Sequence, residues 1–281
     1  FKPSNLNSFI NNKIVDGRLD TEIEFYLNEK NLLNNFIARG TVSDLNLKIK
    51  DDLKLEKSNF TFFADKSDIL IQNLYGEVGF IKIDNGDLKI KFAKQISIES
   101  NFKSILKYNN KKDYPALFDN FKNIKDFKQF EAELNNNFFV VFDQTYKVKD
   151  YNLKNQGKIK NASLIFSEPL SYIPNSEKIK KLSLVNSEID SNFSRKKNEI
   201  NIKGKYLLNE GNYLNFDLES IITGKNLDLK VNAEYDKELE INIINYKKLK
   251  NKIANISLNL KHKAGSITLE KINYLEEKNF I

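Results

Sequence analysis

No cysteine occurs among the 281 residues, and that one absence removes a disulfide scaffold, a thiolate metal site and a cysteine nucleophile together. It is as compatible with an oxidising compartment as with a reducing one. Histidine is nearly as scarce: the single His262 would have to serve any Ser-His-Asp triad, and a zinc centre would be left almost entirely to carboxylates, an unusual ligand set for that ion. Methionine is absent too, and Phe1 stands first, so the chain reads as an internal fragment of something longer and its lack of a signal peptide is silent about the parent protein. No stretch approaches the roughly 20 apolar residues of a membrane-spanning helix. Arginine is limited to Arg18, Arg39 and Arg195, so the net charge of +7, from 45 basic and 38 acidic residues, is carried by lysine. Base and phosphate recognition favours the bidentate fork of arginine. Lysine, asparagine and isoleucine are all abundant and share A/T-rich codons, so the lysine excess reads as genomic composition first, and no nucleic-acid partner is expected.

What the chain does have is length enough for a large core without staples, and a dominant period of two. Leu227, Leu229, Val231, Ala233 and Tyr235 alternate with Asp228, Lys230, Asn232 and Glu234, which gives one extended strand an apolar face and a charged face. The sorting recurs at Leu45/Leu47/Ile49, Leu88/Ile90/Phe92, Ile96/Ile98, Ile200/Ile202, Leu214/Phe216/Leu218, Leu239/Ile241/Ile243 and Ile256/Leu258/Leu260. Between the runs stand turn residues: Asn85-Gly86 is the strongest hairpin signal, and Gly204, Asn209-Glu210-Gly211, Gly224 and Ala264-Gly265 are weaker ones. Strand following strand without helices predicts antiparallel meander connections, about half the residues in strands, and a sheet with one dry and one wet face.

One region departs from the alternation. Leu117, Phe121, Ile124, Phe127, Phe130 and Leu134 fall three or four apart, with Asp113 as a cap and Pro115 in the first turn, which predicts an amphipathic helix over 115–134. The segment from Phe166 to Lys181, with Pro169 and Pro174, reads as a loop with a short helical turn. The expected organisation is a first β section over 1–110, a helical connector over 111–136 and a second β section over 137–281.

Nothing local supplies chemistry. His262 sits between Lys261 and Lys263, opposite to or just past the alternation, with no orienting carboxylate or nucleophile in reach of a motif, and reads as an ordinary surface residue. Gly76 and Gly79 are isolated glycines, unlike a phosphate-cradling loop. Asp51-Asp52 and Glu276-Glu277 lack the alternating ligands and turn glycine of a calcium loop and read as solvated turns. No catalytic residue, metal ligand or cofactor site is assigned, and the chain is not read as an enzyme.

The alternation itself admits two structures. Two apolar faces can pack on one another as a sandwich, or a long curled sheet can keep its apolar face open as a trough, whose natural occupant is an acyl chain. The lining would then be Leu45, Leu47, Leu88, Ile90, Phe92, Ile96, Ile98, Ile200, Ile202, Phe216, Leu218, Leu227, Leu229, Val231, Leu239, Ile241, Ile243 and Leu258. Lys89, Lys91 and Lys230 are either rim charges that attract phosphate or solubilising charges of the outer face. An outer-membrane barrel also alternates, but its aromatics form girdles, whereas here they are scattered. An outer-membrane assembly protein and a ligand-free structural β protein are the remaining alternatives.

Asn35 to Ile49, then Leu55 to Phe63, Ile69 to Gly76 and Ile83 to Ile90 follow an order of phrases that resembles the AsmA-like superfamily, especially its YhdP-like branch. An apolar-x-x-Gly-x-Val-x-Asp-Leu-x-Leu phrase precedes a short strand, an apolar-Asn-apolar-x-Gly phrase, and a strand carrying Asn-Gly. Val148 to Ala162 is similar to a second phrase of these proteins. The resemblance implies a taco-like, repeating β-groove in the periplasmic part of a bacterial envelope protein, anchored in the inner membrane by a helix outside this chain. It further implies bridge-like transport of phospholipid between the inner and outer membranes, in support of envelope integrity and outer-membrane biogenesis. The partner so implied is the phospholipid acyl chain, and the family has no catalytic motif to carry over.

Overall fold

The computed structural model describes residues 13–50, 53–108, 124–143, 145, 147–170, 178–241, 245–263, 265–276 and 279–280. Strands take up 84% of these and none is helical, well above the expected half. In chain order the strands are β1 (Ile14–Leu27), β2 (Leu33–Lys50), β3 (Leu53–Asp65), β4 (Asp68–Val78), β5 (Ile81–Phe92), β6 (Ile96–Tyr108), β7 (Ile124–Phe142), β8 (Val148–Leu170) and β9 (Ile179–Ser194). They continue as β10 (Asn198–Leu208), β11 (Leu214–Thr223), β12 (Asn226–Tyr235), β13 (Leu239–Ile241), β14 (Tyr246–Lys248), β15 (Ala254–Lys263), β16 (Ser266–Glu276) and β17 (Asn279–Phe280). Fifteen join one sheet in the order β1 to β12, then β15, β16 and β17, while β13 pairs with β14 alone. The described pairs are all antiparallel, and the order is linear and open, as expected of meander connections.

The chain forms two compact units, residues 1–106 with 134–154 and residues 107–133 with 155–281, so that β6, β7 and β8 contribute to both.

Three expectations are overturned. Residues 124–134 form part of β7, not a helix; the rest of the expected helix, with Leu117 and Phe121, lies outside the described residues. The physical reason is that a spacing of four is also an even spacing. Phe130 and Leu134 satisfy the alternation as well as a helical stripe, with Ala132 and Val140 buried on the same side and Glu133, Asn135 and Asn137 exposed on the other. Likewise Phe166 to Leu170 continues β8 and Ile179 to Lys181 opens β9, while residues 171–177 of the expected loop, Pro174 among them, lie outside the described residues. Asn85-Gly86 lies inside β5, at a bulge where the pairing with β6 slips between Ile83 and Asn85. Gly86 is needed there for close approach rather than for a hairpin: a Cβ would stand 2.8 Å from Cβ of Phe102 on the neighbouring strand.

Bulges organise the first unit. Asp44, Lys57 and Asn73, in the middle of β2, β3 and β4, have φ of 53°, 50° and 54°, and the pairing registers slip beside each of them. An extra residue bends its strand and reverses the alternation beyond it. That is why Val42 and Leu45, three apart, both belong to the apolar face.

Candidate functional site

Cross-strand partners in an antiparallel sheet share a face, so the registers trace which side chains line up. In the first unit one such row runs Ile23, Ala38, Ala64, Ile69, Ile90, Ile98 through six successive strands. A second runs Ile14, Leu47, Leu55, Val78, Ile81, Leu106. Every member of both is apolar. Strand β6 carries no extra residue, and its even positions from Ile96 to Leu106 fall on one face, so the two rows belong to the same face.

Between them, beside the bulges, the face narrows to small groups. Leu45 stands opposite Ser58, and Gly76 opposite Ile83, which is opposite Ser104. Ser58 is fully buried and Ser104 and Asn136 nearly so. The Ser58 hydroxyl donates to the Tyr75 carbonyl at 3.0 Å, and the Asn136 amide donates to Ser104 Oγ at 2.8 Å and to the Phe102 carbonyl at 3.1 Å. These polar atoms are satisfied internally, which lets them sit in an apolar surface without the cost of an unmade bond.

The second unit repeats the arrangement. Ile189, Ile202, Leu218, Val231, Leu258 and Ile272 form an all-apolar row through β9, β10, β11, β12, β15 and β16. Beside it run Ser191, Ile200, Ser220, Leu229, Leu260 and Leu269. His262 stands opposite Leu227 and Ile267, on the apolar face near the strand ends rather than opposite to or past it.

Burial distinguishes this face from an ordinary core. Among the row members named above, the buried ones are small, Ala38, Ala64 and Ser191, whereas the long aliphatics are half-buried or exposed. Of the residues expected to line a trough, Leu45, Leu47, Leu88, Ile90, Phe92, Ile96 and Ile98 are half-buried on the apolar face of the first unit, and Ile200, Ile202, Phe216, Leu218, Leu227, Leu229, Val231 and Leu258 are half-buried on that of the second. Leu239 is buried in the separate β13–β14 hairpin. The side chain of Ile241 and the whole of Ile243 lie outside the described residues.

The expected lining left out Leu55, Ile69, Val78, Ile81, Leu106, Ile189, Leu260 and Ile272, although Leu260 belongs to the alternating run Ile256/Leu258/Leu260. For the first three, the signal that marks them is the slip of phase in the apolar pattern at Lys57 and Asn73.

The opposite face carries the charge, and it is paired. Arg39 meets Glu22 at 2.9 Å, Lys89 meets Asp68 at 2.9 Å, Lys91 meets Glu99 at 3.4 Å, and Lys230 meets Glu219 at 2.9 Å. Hydrogen bonding to Asp68 holds the Lys89 ammonium above the usual lysine range. These three lysines therefore spend their charge on outer-face carboxylates, each pair contributing little to stability. Among the described residues no group of three or more His, Asp and Glu side chains is placed to hold a metal ion.

Comparison with protein families, with curated proteins and with solved structures finds no match for this chain.

Proposed function

We propose that this chain is a lipid-shielding segment whose apolar sheet face forms an open β-groove for acyl chains. The observation that carries the reading is the state of the aliphatic rows: continuous over six strands, yet half-open in each unit, with only their small members buried. A sandwich would bury such rows as its core. Bulges aligned beside a line of Ser and Gly are what a strand needs to curl, with small groups in the crease and aliphatics on the two walls.

The mechanism follows from transfer energetics. An acyl chain crossing water exposes apolar area at about 0.8 kcal/mol per methylene, and a wall of Ile, Leu, Val and Phe removes most of that cost. Six strands at about 4.8 Å give a row of about 24 Å, longer than the ~15 Å depth of one bilayer leaflet. The headgroup stays in water at the seam. Successive positions along a row are chemically alike, so a chain meets no deep trap as it moves. Among the described residues the strand order is linear and the sheet is not closed, which supports an open groove.

The AsmA-like resemblance gives the setting: the periplasm, within a parent anchored in the inner membrane, and phospholipid passing between the inner and outer membranes. The test is organic extraction of the purified chain followed by mass spectrometry, together with uptake from phospholipid vesicles. Co-purifying phospholipid is the expected result; neither extracted nor acquired lipid would withdraw the proposal in favour of a ligand-free structural β protein.

A further inference from the structure

Strands β12 and β15 pair directly through Tyr235 and Ala254, yet β13 and β14 lie between them in sequence and, among the described residues, pair only with each other. The hairpin folds onto the apolar face. Leu239 is buried against Ala254 and Tyr274, with Tyr235, Tyr246 and Ile256 packed around them, and the registers put Tyr235, Ala254, Ile256 and Tyr274 on the same face as Leu229, Val231 and Leu258. Along these strands, then, the face is half-open at Leu229, Val231 and Leu258 and covered at Ala254 and Tyr274.

The cover is held by side chains rather than by the ladder of the large sheet. Its two strands are three residues each. The Tyr246 hydroxyl lies 2.9 Å from that of Tyr274 and donates to the Glu276 carboxylate. Lys248 is fully buried; its ammonium donates to the carbonyls of Lys237 at 2.8 Å and Leu249 at 3.2 Å and lies 5.5 Å from the Tyr235 ring. It has no carboxylate in ion-pair contact among the described residues. A buried ammonium with no carboxylate in contact disfavours the closed position relative to one in which it meets water, and burial pushes the Lys248 pKa down despite the nearby Glu276 and Asp236.

We propose that the β13–β14 hairpin is a displaceable lid on the apolar face of the second unit: closed, it occupies the surface around Tyr235, Ile256 and Tyr274 with Leu239; displaced, it yields that surface to an acyl chain. The exchange is aliphatic for aliphatic, with Lys248 gaining hydration as the lid leaves. The inference rests on the groove reading above.

Three forms of the full chain test it: wild type, Leu239→Ala, which weakens the cover, and Lys248→Met, which keeps the stem and removes the buried charge. Hydrogen exchange of the amides of 246–248 is compared with those of β15, and binding of the fluorescent fatty acid cis-parinaric acid is titrated. The expected results are hairpin amides that exchange at least tenfold faster than those of β15, as a separately opening segment does, and probe affinity that rises roughly threefold or more in Leu239→Ala and falls in Lys248→Met. If Leu239→Ala fails to fold, Tyr246→Phe, which cuts the hydroxyl contacts and leaves the ring, takes its place. Equal protection of hairpin and β15, or equal affinity in all forms, overturns the lid while leaving the groove standing. Probe binding in none of them overturns the groove and the lid together.

Discussion

Asn46 on β2 and Asn59 on β3 clasp two bulges reciprocally. The Asp44 N–H donates to Asn59 Oδ1 at 3.1 Å, and Asn59 Nδ2 donates to the Lys57 carbonyl at 3.0 Å. In mirror fashion the Lys57 N–H donates to Asn46 Oδ1 at 3.1 Å, and Asn46 Nδ2 donates to the Asp44 carbonyl at 3.3 Å. Each side-chain amide thus satisfies backbone groups that the bulge removes from the ladder. The Asn73 N–H repeats half of the device by donating to Asp87 Oδ1 at 3.3 Å.

Because the two asparagines serve one pair of bulges, they are coupled. Asn46→Ala and Asn59→Ala are each expected to cost about 0.5–1.5 kcal/mol, with the double variant costing less than the sum. Urea unfolding in a double-mutant cycle measures this; strict additivity would mean that the two bulges are independent.

Gly204 is pressed against the bulge in β9, where Asn186 has a φ of 48°. A Cβ at Gly204 would stand 2.2 Å from Ser187 Oγ and 2.5 Å from Ser187 Cα. Gly204→Ala is expected to destabilise by about 1–3 kcal/mol through overpacking. Ser187→Gly in the same chain recovers only part of that, because the new methyl still meets the backbone of residue 187. Full recovery would place the clash in the side chain alone.

Open and packed positions part under a carboxylate. Ile90→Glu and Leu229→Glu, on the half-open face, are expected to melt near wild type while losing co-purifying lipid, since a groove lets water reach the charge but an acyl chain does not tolerate it. Val140→Glu is the contrast: Val140 is 3% exposed, and a buried unpaired charge there is expected to cost at least about 3 kcal/mol. Collapsed melting of all three variants would indicate a closed core and withdraw the groove.

Acid acts through the turns. Asp65 accepts from the Ser67 hydroxyl at 2.7 Å, from the Ser67 N–H at 2.6 Å and from the Asp68 N–H at 2.9 Å, and these bonds, the hydroxyl's foremost, hold its carboxyl below the usual range. Asp143 is held down in the same way by Thr145, chiefly its hydroxyl, and by the Lys147 N–H. A depressed folded pKa gives stability that is present above the unfolded value of about 3.9 and is lost as pH falls through the folded one. Urea midpoints of wild type and Asp65→Ala are therefore expected to differ most near neutrality and to converge in acid. A gap that widens on acidification would reverse the assigned sign.

The faces were legible in the sequence because alternation is local: wherever the chain is extended, Leu227, Leu229 and Val231 must point one way and Asp228 and Lys230 the other. The turns were legible at Gly224 and Asn209-Gly211, where a glycine leaves the ladder. Gly86 and Gly204 mislead as turn signals, because the same residue type serves close strand approach there instead. The region from Ile124 to Leu134 misleads because the four-residue step from Phe130 to Leu134 fits both periods, and pairing within the sheet, not the pattern, chose between them.

The amino-acid sequence by itself determined a two-faced, helix-poor chain without thiol chemistry and with a single imidazole. Tertiary structure alone decided which residues stand side by side. Register depends on where the bulges at Asp44, Lys57, Asn73 and Asn186 insert their extra residue, and each one reverses the phase of everything beyond it. It also decided that Leu239, one more apolar residue in an alternating run, leaves the sheet and covers it, because Tyr235 and Ala254 close the β12–β15 ladder beneath and offer the burial that a three-residue strand cannot provide for itself.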